Sequence, residues 1–480
     1  MTATRTSTAS AEAAALSVDR PRIGLLGIMQ SLYDDMLPGV TERQAQYAAD
    51  VAAALQPVAD VVVTAPAKER ADAEARMREL EGRGLDGLLV INLTYGPGMR
   101  VARLLAETKL PICLANIQPV PNVTAEWDMG DLTYNQGIHG AQDTANAMVR
   151  SGRSFHVITD DWHQPSFVDA VGAWARAAAA VTRWKALKVA VFGYAMNGMG
   201  DIRVDAHALI RSLGPQIDSL APGDLVRAAA AVTDAEIAEA IAAEDAQFEI
   251  DPALSPEERS DHVRMQLGLE KILRSGGYGA YSTHFDAIGE DGRFHRLPLA
   301  AASSLMAKGY GFAGEGDTLT AALVRAAHVL LGSAHFTEMY AMDFPTDSIL
   351  MSHMGEGNWK IARSDKPVRL IKRPIAIGGL DDPPTFVFEY QPGPATLATL
   401  VSLGGESFRL VVCEGENLDG PDLPGLEMPW GRFKPDVGVR ACLDAWLRLG
   451  GPHHQVMNLG RHAEAWRVFC EQAGIEFAPI

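Results

Sequence analysis

The fold of the first part of this chain is decided by the stretch Gly87-Leu88-Leu89-Val90-Ile91-Asn92 and by what lies on either side of it. Its consecutive aliphatic residues predict a strand. Similar short runs lie at residues 23–28, 60–64, 112–115 and 155–159, and helix-like stretches lie between most of them, at residues 41–55, 71–83, 99–108 and 134–150. Strands that alternate with helices of this length predict βαβ units around a parallel sheet.

The remainder of the chain divides into two further parts. A second α/β segment opens at Lys188 with an apolar run at residues 189–192, and a strand-like stretch follows at residues 280–283. From residue 367 to residue 425 the pattern changes to short alternating runs separated by Gly and Pro, at residues 385–390, 396–403 and 408–413. This spacing predicts antiparallel strands in a barrel or a sandwich. Two helices, at residues 437–449 and 462–473, are predicted to close the chain.

Composition excludes several classes of protein. A length of 480 residues suggests about three domains, and a net charge of -18 disfavours nucleic acid as a partner. No stretch has the roughly 18 uncharged apolar residues of a membrane helix. The four cysteines form no CxxC pair and no GxGxxG follows the first strand, so neither a disulfide scaffold nor a dinucleotide site is indicated. Residues 1–20 lack the apolar core of a secretory signal, which predicts a mobile N-terminal extension and a cytoplasmic location.

Four places in the second half carry side chains suited to chemistry. They are Glu315 in a glycine-rich turn, Glu338, His353 and the pair His453-His454. Two carboxylates and one or two imidazoles, all expected from loops, suit Mn²⁺ or another borderline or hard divalent ion. Each residue also has a purely structural explanation: a cap of the following helix for Glu315, a buried ion pair for Glu338, and a hydrogen-bonded core group for any histidine. Spacing alone leaves these alternatives open.

Polar side chains also follow the predicted strands of the first part. Gln30 and Tyr33 come after the first apolar run, and Gln118 comes after the fourth. In open parallel sheets, ligands bind at the carboxyl ends of the strands. The sequence therefore predicts a second group of candidate binding residues at that edge.

One stretch resembles a known family. Residues 308–317, with the glycines around Glu315, and the following Thr320-Ala321-Ala322-Leu323 are similar to the central motif of L-arabinose isomerases. Other stretches resemble motifs of the same family in the same order: Gln30-Ser31-Leu32-Tyr33, Asn135-Gln136 with His139-Gly140, Phe192-Gly193 with Met196, residues 336–340, Ser352-His353-Met354, residues 378–383 and residues 450–454. The resemblance covers essentially the whole chain after Pro21.

The resemblance implies a metal-dependent aldose–ketose isomerase of α/β class with three domains. These would be two Rossmann-like α/β domains with parallel sheets, at residues 21–186 and 187–332, and a C-terminal antiparallel β-barrel domain with closing helices at residues 333–480. The implied cofactor is Mn²⁺, with Co²⁺ or Mg²⁺ as alternatives, and its ligands would be Glu315, Glu338, His353 and His454. The resemblance also implies trimers or hexamers in which a neighbouring subunit's N-terminal domain completes each active site.

The resemblance and the chemistry of isomerisation together suggest roles for single residues. Moving a carbonyl from C1 to C2 requires a proton to leave C2 and another to reach C1, and we assign this acid–base work on a metal-chelated enediolate to Glu315 and Glu338. A hydride shift is the competing route. The implied substrate-side residues are Gln30, Tyr33, Gln118, Met196 and His453, with His139 contributed by the neighbouring subunit.

The sequence departs from the family motifs on the substrate side. Ser31 and Asp34 stand where the family usually has His and Gly, and Tyr194-Ala195 replaces an Asp-Asn pair before Met196. Because a pocket discriminates between sugars through its placed polar groups, these departures favour a small sugar related to L-arabinose over L-arabinose itself as the natural substrate. A non-catalytic sugar-binding protein and a related metal-dependent sugar epimerase are the two alternatives.

Overall fold

The computed structural model describes residues 20–375 and 377–480. The predicted N-terminal extension therefore lies outside the described residues, except for Arg20. Within these two ranges, none of the helices combines the length and the apolar character that crossing a membrane requires.

The first part of the chain forms a parallel sheet of five strands, as predicted. Its strands are β1 (Arg22–Ile28), β2 (Asp60–Val63), β3 (Gly87–Asn92), β4 (Ile112–Asn116) and β5 (His156–Thr159), in the order β2-β1-β3-β4-β5. Its helices are α1 (Leu32–Met36), α2 (Val40–Ala54), α3 (Arg70–Glu81), α4 (Ala102–Glu107), α5 (Met129–Asn135), α6 (Gly137–Arg150) and α7 (Pro165–Lys185), with a short 3-10 turn at Gly98–Arg100.

Close packing explains the details of this sheet. The fully buried β3 lies at its centre. A Cβ on Gly87 would come within 2.9 Å of Trp174 on α7, so helix and strand approach this closely because the residue is glycine. The predicted helix over residues 134–150 is interrupted at Gln136, and α6 begins at Gly137, where a Cβ would stand 2.5 Å from the Asn92 carbonyl oxygen.

The second part forms another parallel sheet. Its strands are β6 (Lys188–Phe192), β7 (Gln216–Leu220), β9 (Ala280–Thr283) and β10 (Gly311–Ala313), in the order β10-β9-β6-β7, while β8 (Glu249–Ile250) lies outside it. Its helices are α8 (Ala206–Ser212), α9 (Pro222–Ala230), α10 (Asp234–Gln247), α11 (Pro256–Gly276), α12 (Phe285–Gly289), α13 (Leu299–Ala307) and α14 (Thr318–Leu331). Because the sheet is parallel, the loops after β6, β9 and β10 meet at one edge.

The third part is antiparallel. Its strands are β11 (His335–Asp343), β12 (Ser348–Ser352), β13 (Arg369–Lys372), β14 (Pro384–Val387), β15 (Gly393–Ser402), β16 (Phe408–Asn417), β17 (Trp430–Pro435), β18 (His454–Leu459) and β19 (Glu476–Pro479). Its helices are α15 (Val439–Arg448) and α16 (Ala463–Ala473), with 3-10 turns at Trp359–Ile361 and Ile377–Gly379. The predicted ending in two helices is incomplete, because β18 lies between them and β19 follows them.

The large antiparallel sheet closes on itself. Its strand order is β15-β18-β11-β12-β17-β16, and β16 pairs back with β15, so that these strands form a barrel-like ring to which β19 adds in parallel beside β16. The strands β14, β13 and β8 form a small separate sheet that joins the second and third parts. The predicted fold class, two parallel α/β units followed by an antiparallel barrel, is confirmed.

Candidate metal centre

The loop after β10 places Glu315 at the edge of the second sheet. Glu315 has a φ of 62° and is followed by Gly316 at 79°. Its carbonyl oxygen accepts a hydrogen bond from the Met196 amide at 2.9 Å, and the Gly316 amide donates to the Thr283 carbonyl at 3.3 Å. A left-handed conformation at a residue other than glycine costs about 1–3 kcal/mol and is concentrated at functional sites. The neighbouring loops thus hold Glu315 in an unfavourable backbone conformation.

The antiparallel ladder of the third part places the other acidic side chain. Glu338 lies on β11, directly opposite Ser352 of β12 on one side and His454 of β18 on the other. His353 follows Ser352 immediately. Because residues opposite each other in such a ladder have Cβ atoms about 4.5–5.5 Å apart, strand pairing brings these side chains together. The expectation that loops supply all the candidate ligands is wrong, since Glu338 and His454 lie on strands.

Glu315, Glu338, His353 and His454 form one cluster, which we call the metal centre. The Nε2 atom of His454 lies 3.3 Å from Glu315 Oε2 and 3.5 Å from Glu338 Oε1. His353 Nε2 lies 4.0 Å from Glu338 Oε2. The His454 side chain is fully buried, and its Nε2 has no hydrogen-bond partner among the described residues.

Two carboxylates orient the imidazoles of the metal centre. His454 Nδ1 lies 2.8 Å from Asp317 Oδ2, and His353 Nδ1 lies 2.8 Å from Glu356 Oε2. Each carboxylate favours a proton on Nδ1, so that Nε2 is the ring nitrogen that faces the cluster. Phe336 packs against both rings, with centroid distances of 4.4 Å and 4.8 Å. An orphaned buried Nε2 beside two carboxylates fits a divalent cation, because mixed oxygen and imidazole donors suit such ions.

The charges of the centre shift its pKa values. Burial raises the pKa of Glu315, but its contacts with His453 and His454 outweigh burial and hold that pKa well below its usual range. Burial lowers the pKa of His454, but Asp317 and Glu315 outweigh burial and raise it to about 10. At neutral pH Glu315 is therefore ionised, whereas His454 carries a proton on each ring nitrogen, and a cation at Nε2 would have to displace one of them.

His453 lies at the rim of the metal centre. Its Nδ1 lies 2.6 Å from Asp201 Oδ2, and its Nε2 lies 3.5 Å from Glu315 Oε2 and 3.7 Å from Glu338 Oε1. Predicted on the substrate side, His453 is within reach of a cation bound by Glu315 and His454. Met196, also predicted on the substrate side, is joined to Glu315 by its backbone amide.

The structure does not bring the predicted residues of the N-terminal part to this centre within one chain. Those residues are Gln30, Tyr33, Gln118 and His139. Tyr33 accepts a hydrogen bond from Gln136 at 2.8 Å, and His139 packs against Tyr95 with a centroid distance of 5.5 Å. Within residues 20–375 and 377–480, no hydrogen bond, ion pair or ring contact joins any of the four to the metal centre. They lie instead at the carboxyl edge of the first sheet.

Sequence reasoning missed three acidic residues that orient the histidines. Asp317 lies two residues after the predicted ligand Glu315, and Glu356 lies three residues after the predicted ligand His353. A carboxylate this close in sequence to a predicted ligand could have indicated a partner for a histidine. Asp201 gave no signal, because it is 252 residues from His453 in the chain.

Two spaces adjoin the metal centre. A small cavity of about 50 Å³ is lined by Glu315, His353 and Glu356 together with apolar side chains that include Phe285. A groove of about 810 Å³ is lined by Asp201, His453 and an apolar wall from β11 and α15. The metal centre thus adjoins open space that is lined by both charged and apolar side chains.

Comparisons with known proteins point to one family. Residues 188–333 match the model of the L-arabinose isomerase central domain, and residues 333–476 match that of the L-arabinose isomerase C-terminal domain. The chain is 32% identical over 409 residues to the L-arabinose isomerase of Klebsiella pneumoniae strain 342, covering 82% of this chain and 80% of that protein. It is 33% identical over 399 residues to L-arabinose isomerase 1 of Bacillus licheniformis, covering 81% and 79%.

Proposed function

Because this chain belongs to the L-arabinose isomerase family, we propose that it interconverts a small aldose and its ketose by metal-dependent chemistry at the metal centre. Family membership confirms the predicted enzyme class, an aldose–ketose isomerase. The observation that carries metal dependence is the buried Nε2 of His454, which has no hydrogen-bond partner in residues 20–375 and 377–480 and faces two carboxylates. A divalent cation gives that nitrogen and both carboxylates a partner, and Mn²⁺ is the ion we propose.

The residues of the centre divide the work. A bound divalent cation supplies Lewis-acid stabilisation of the negative charge that develops on the sugar oxygens. His353 and His454 hold their Nε2 lone pairs toward the centre, since Glu356 and Asp317 occupy the opposite ring nitrogens. Glu315 and Glu338 are then the carboxylates that take the proton from C2 and return one to C1. Such proton transfer contributes about 10²- to 10⁴-fold to a rate.

L-arabinose is the first substrate to propose, because the relatives are named for it. The metal centre contains the residue types expected for isomerisation. Tyr194 and Ala195, in contrast, replace the Asp-Asn pair of the family motif, and they lie in the loop whose Met196 amide donates to the Glu315 carbonyl. We therefore propose that the chain catalyses the same reaction at C1 and C2 as its relatives. The preferred sugar is L-arabinose or an aldose that differs from L-arabinose only at other carbons.

Removal of divalent cations is expected to abolish turnover. Protein treated with a chelator should form no ketose from L-arabinose or from the other aldopentoses and aldohexoses, and addition of Mn²⁺ should restore ketose formation from at least one of them. Ketose is measured colorimetrically, and Mn²⁺ binding is measured by calorimetry on the same preparation. Turnover that survives complete chelation would show that the metal centre is not needed for the reaction.

We further propose that a neighbouring copy completes the site. Exposed apolar side chains lie at the carboxyl edge of the first sheet, among them Leu32 on α1 and Met129 on α5. Tyr340 and Met342 are exposed in the groove beside the metal centre. Exposed apolar side chains of this kind mark interfaces, and a contact between two different patches gives a ring such as a trimer when the rotation between copies closes. That contact would carry Gln30, Tyr33, Gln118 and His139 of one copy toward the metal centre of the next.

Mixed oligomers test this arrangement. Glu338→Gln alone and His139→Ala alone are each expected to be nearly inactive, whereas co-expression of the two variants should recover roughly a quarter of wild-type activity by random pairing of intact halves. Differently tagged variants allow the mixed oligomer to be purified before assay. Activity that stays absent in verified mixed oligomers would place both halves of the site in one chain.

A further inference from the structure

A buried histidine beside the metal centre has one ring nitrogen without a partner. His284 follows β9 at the edge where Glu315 lies, and it is 1% exposed. Its Nδ1 accepts a hydrogen bond from the Ala287 amide at 3.2 Å, which caps α12. An imidazole that accepts at Nδ1 carries its proton on Nε2. The His284 Nε2 therefore presents an N–H group, and that group has no acceptor among the described residues.

The neighbours of His284 leave its Nε2 without an internal partner. The ring lies between two aromatic rings, Tyr194 at a centroid distance of 4.5 Å and Phe285 at 5.2 Å, both nearly parallel to it. Stacked rings cover its faces and provide no in-plane acceptor. Burial lowers the pKa of His284, although Asp286, Glu315 and Glu290 oppose this effect. The ring is therefore a neutral donor, and a buried donor without an acceptor is unfavourable until something supplies one.

His284 lies between Thr283 and Phe285, which both line the cavity beside the metal centre, and among the described residues it belongs to neither candidate metal-binding group. Phe285, the next residue, lines the cavity that Glu315 and His353 also line. The loop that carries Tyr194 is fixed to the Glu315 loop through the Met196 amide. Tyr194 is 43% exposed, so it is the stacked ring through which His284 lies nearest to solvent.

We propose that the His284 Nε2–H donates a hydrogen bond to a hydroxyl oxygen of the bound sugar, beyond the two carbons that react, and thereby determines which aldose is accepted. This inference rests on the proposed function, because it assigns the sugar to the metal centre. A site that buries a donor discriminates strongly against a ligand that lacks the matching oxygen, since the donor is then left unpaired. Tyr194 covers one face of the imidazole and leaves the in-plane Nε2–H for the sugar oxygen.

Two substitutions separate the donor from the cap. His284→Asn keeps an acceptor for the Ala287 amide, because Asn is a good N-cap, but removes the donor at Nε2. His284→Gln places an amide N–H near the Nε2 position. We expect His284→Asn to raise the KM of the preferred aldose about 10- to 100-fold with a smaller change in kcat, and His284→Gln to recover part of that loss. Mn²⁺ affinity should stay unchanged, and both variants should remain folded at the assay temperature, although loss of the stacked ring lowers their unfolding temperature.

Deoxy sugars identify the contact. The monodeoxy analogue that lacks the contacted hydroxyl should bind wild type and His284→Asn equally, whereas other monodeoxy analogues should keep the difference. His207→Asn, on exposed α8, is the matched control and should behave as wild type. Equal affinities of wild type and His284→Asn for every sugar, or the same loss with every deoxy analogue, would overturn the inference.

Calorimetric binding to the Mn²⁺-loaded protein separates this inference from the proposed function. If wild type forms ketose but His284→Asn binds the sugar equally well, the function stands and the inference is wrong. If wild type binds a sugar without forming ketose, the proposed function is wrong, and the deoxy comparison still decides the role of His284. If wild type binds no aldose, both are wrong.

Discussion

Glutamine in place of Glu338 is expected to lower kcat by about 10²- to 10⁴-fold at saturating Mn²⁺. The amide keeps an oxygen in the position of the carboxylate, so the cluster around His454 retains its shape, but it can neither accept the C2 proton nor return one to C1. Glu338 lies mid-strand on β11 between two paired strands, so its backbone cannot move to compensate. The measurement is ketose formation at several Mn²⁺ concentrations, with Mn²⁺ affinity determined separately.

The size of the loss distinguishes acid–base work from metal binding. Glu315→Gln should show a comparable loss of kcat together with weaker Mn²⁺ binding, because Glu315 is held ionised by His453 and His454. Glu416→Gln, at an exposed position of β16, is the control and should leave kcat unchanged. If Glu338→Gln keeps more than about a tenth of wild-type kcat, Glu338 does not transfer the proton.

The parallel sheets could be predicted because their information is local. β3 is a short apolar run between two polar or small residues, and the helices on either side of it have the length that a βαβ crossover needs. The barrel strands that carry residues of the metal centre were not predicted, because their local sequence does not show a strand pattern. β18 reads His454-Gln455-Val456-Met457-Asn458-Leu459, and its three polar side chains are buried. A strand that buries polar groups for a site has no alternating pattern to recognise.

The site shows the same division between local and distant information. The residue types of the proposed metal centre could be chosen from the sequence, because carboxylates and imidazoles are donors that suit a divalent ion such as Mn²⁺. The spacing of the residues in the sequence does not show which of their side chains come together. Asp317 and His454, for example, are 137 residues apart. They meet because Asp317 lies at the start of α14 and His454 lies on the barrel strand β18. The orphaned Nε2 of His284 is a property of packing and has no local sequence pattern.

Asparagine in place of Asp317 is expected to weaken Mn²⁺ binding about 10- to 100-fold without unfolding the protein. Asp317 has two roles: its Oδ1 accepts the Thr320 amide at 2.9 Å and so caps α14, and its Oδ2 holds His454 Nδ1 at 2.8 Å. Asn preserves the cap, since it is as good an N-cap as Asp. The Asn amide N–H would face His454 Nδ1 and favour the tautomer that carries its proton on Nε2. In that tautomer Nε2 has no lone pair for the cation.

The matched control separates these two roles. Asp205→Asn changes the cap of α8, where the side chain accepts the Ala208 amide and no histidine is involved, and it should alter neither Mn²⁺ affinity nor turnover. Calorimetry with Mn²⁺ and thermal unfolding of the metal-free protein are measured for both variants. Unchanged Mn²⁺ affinity in Asp317→Asn would mean that His454 is not a ligand through Nε2. If Asp317→Asn lowers the unfolding temperature of the metal-free protein but leaves Mn²⁺ affinity unchanged, Asp317 acts only as the cap of α14.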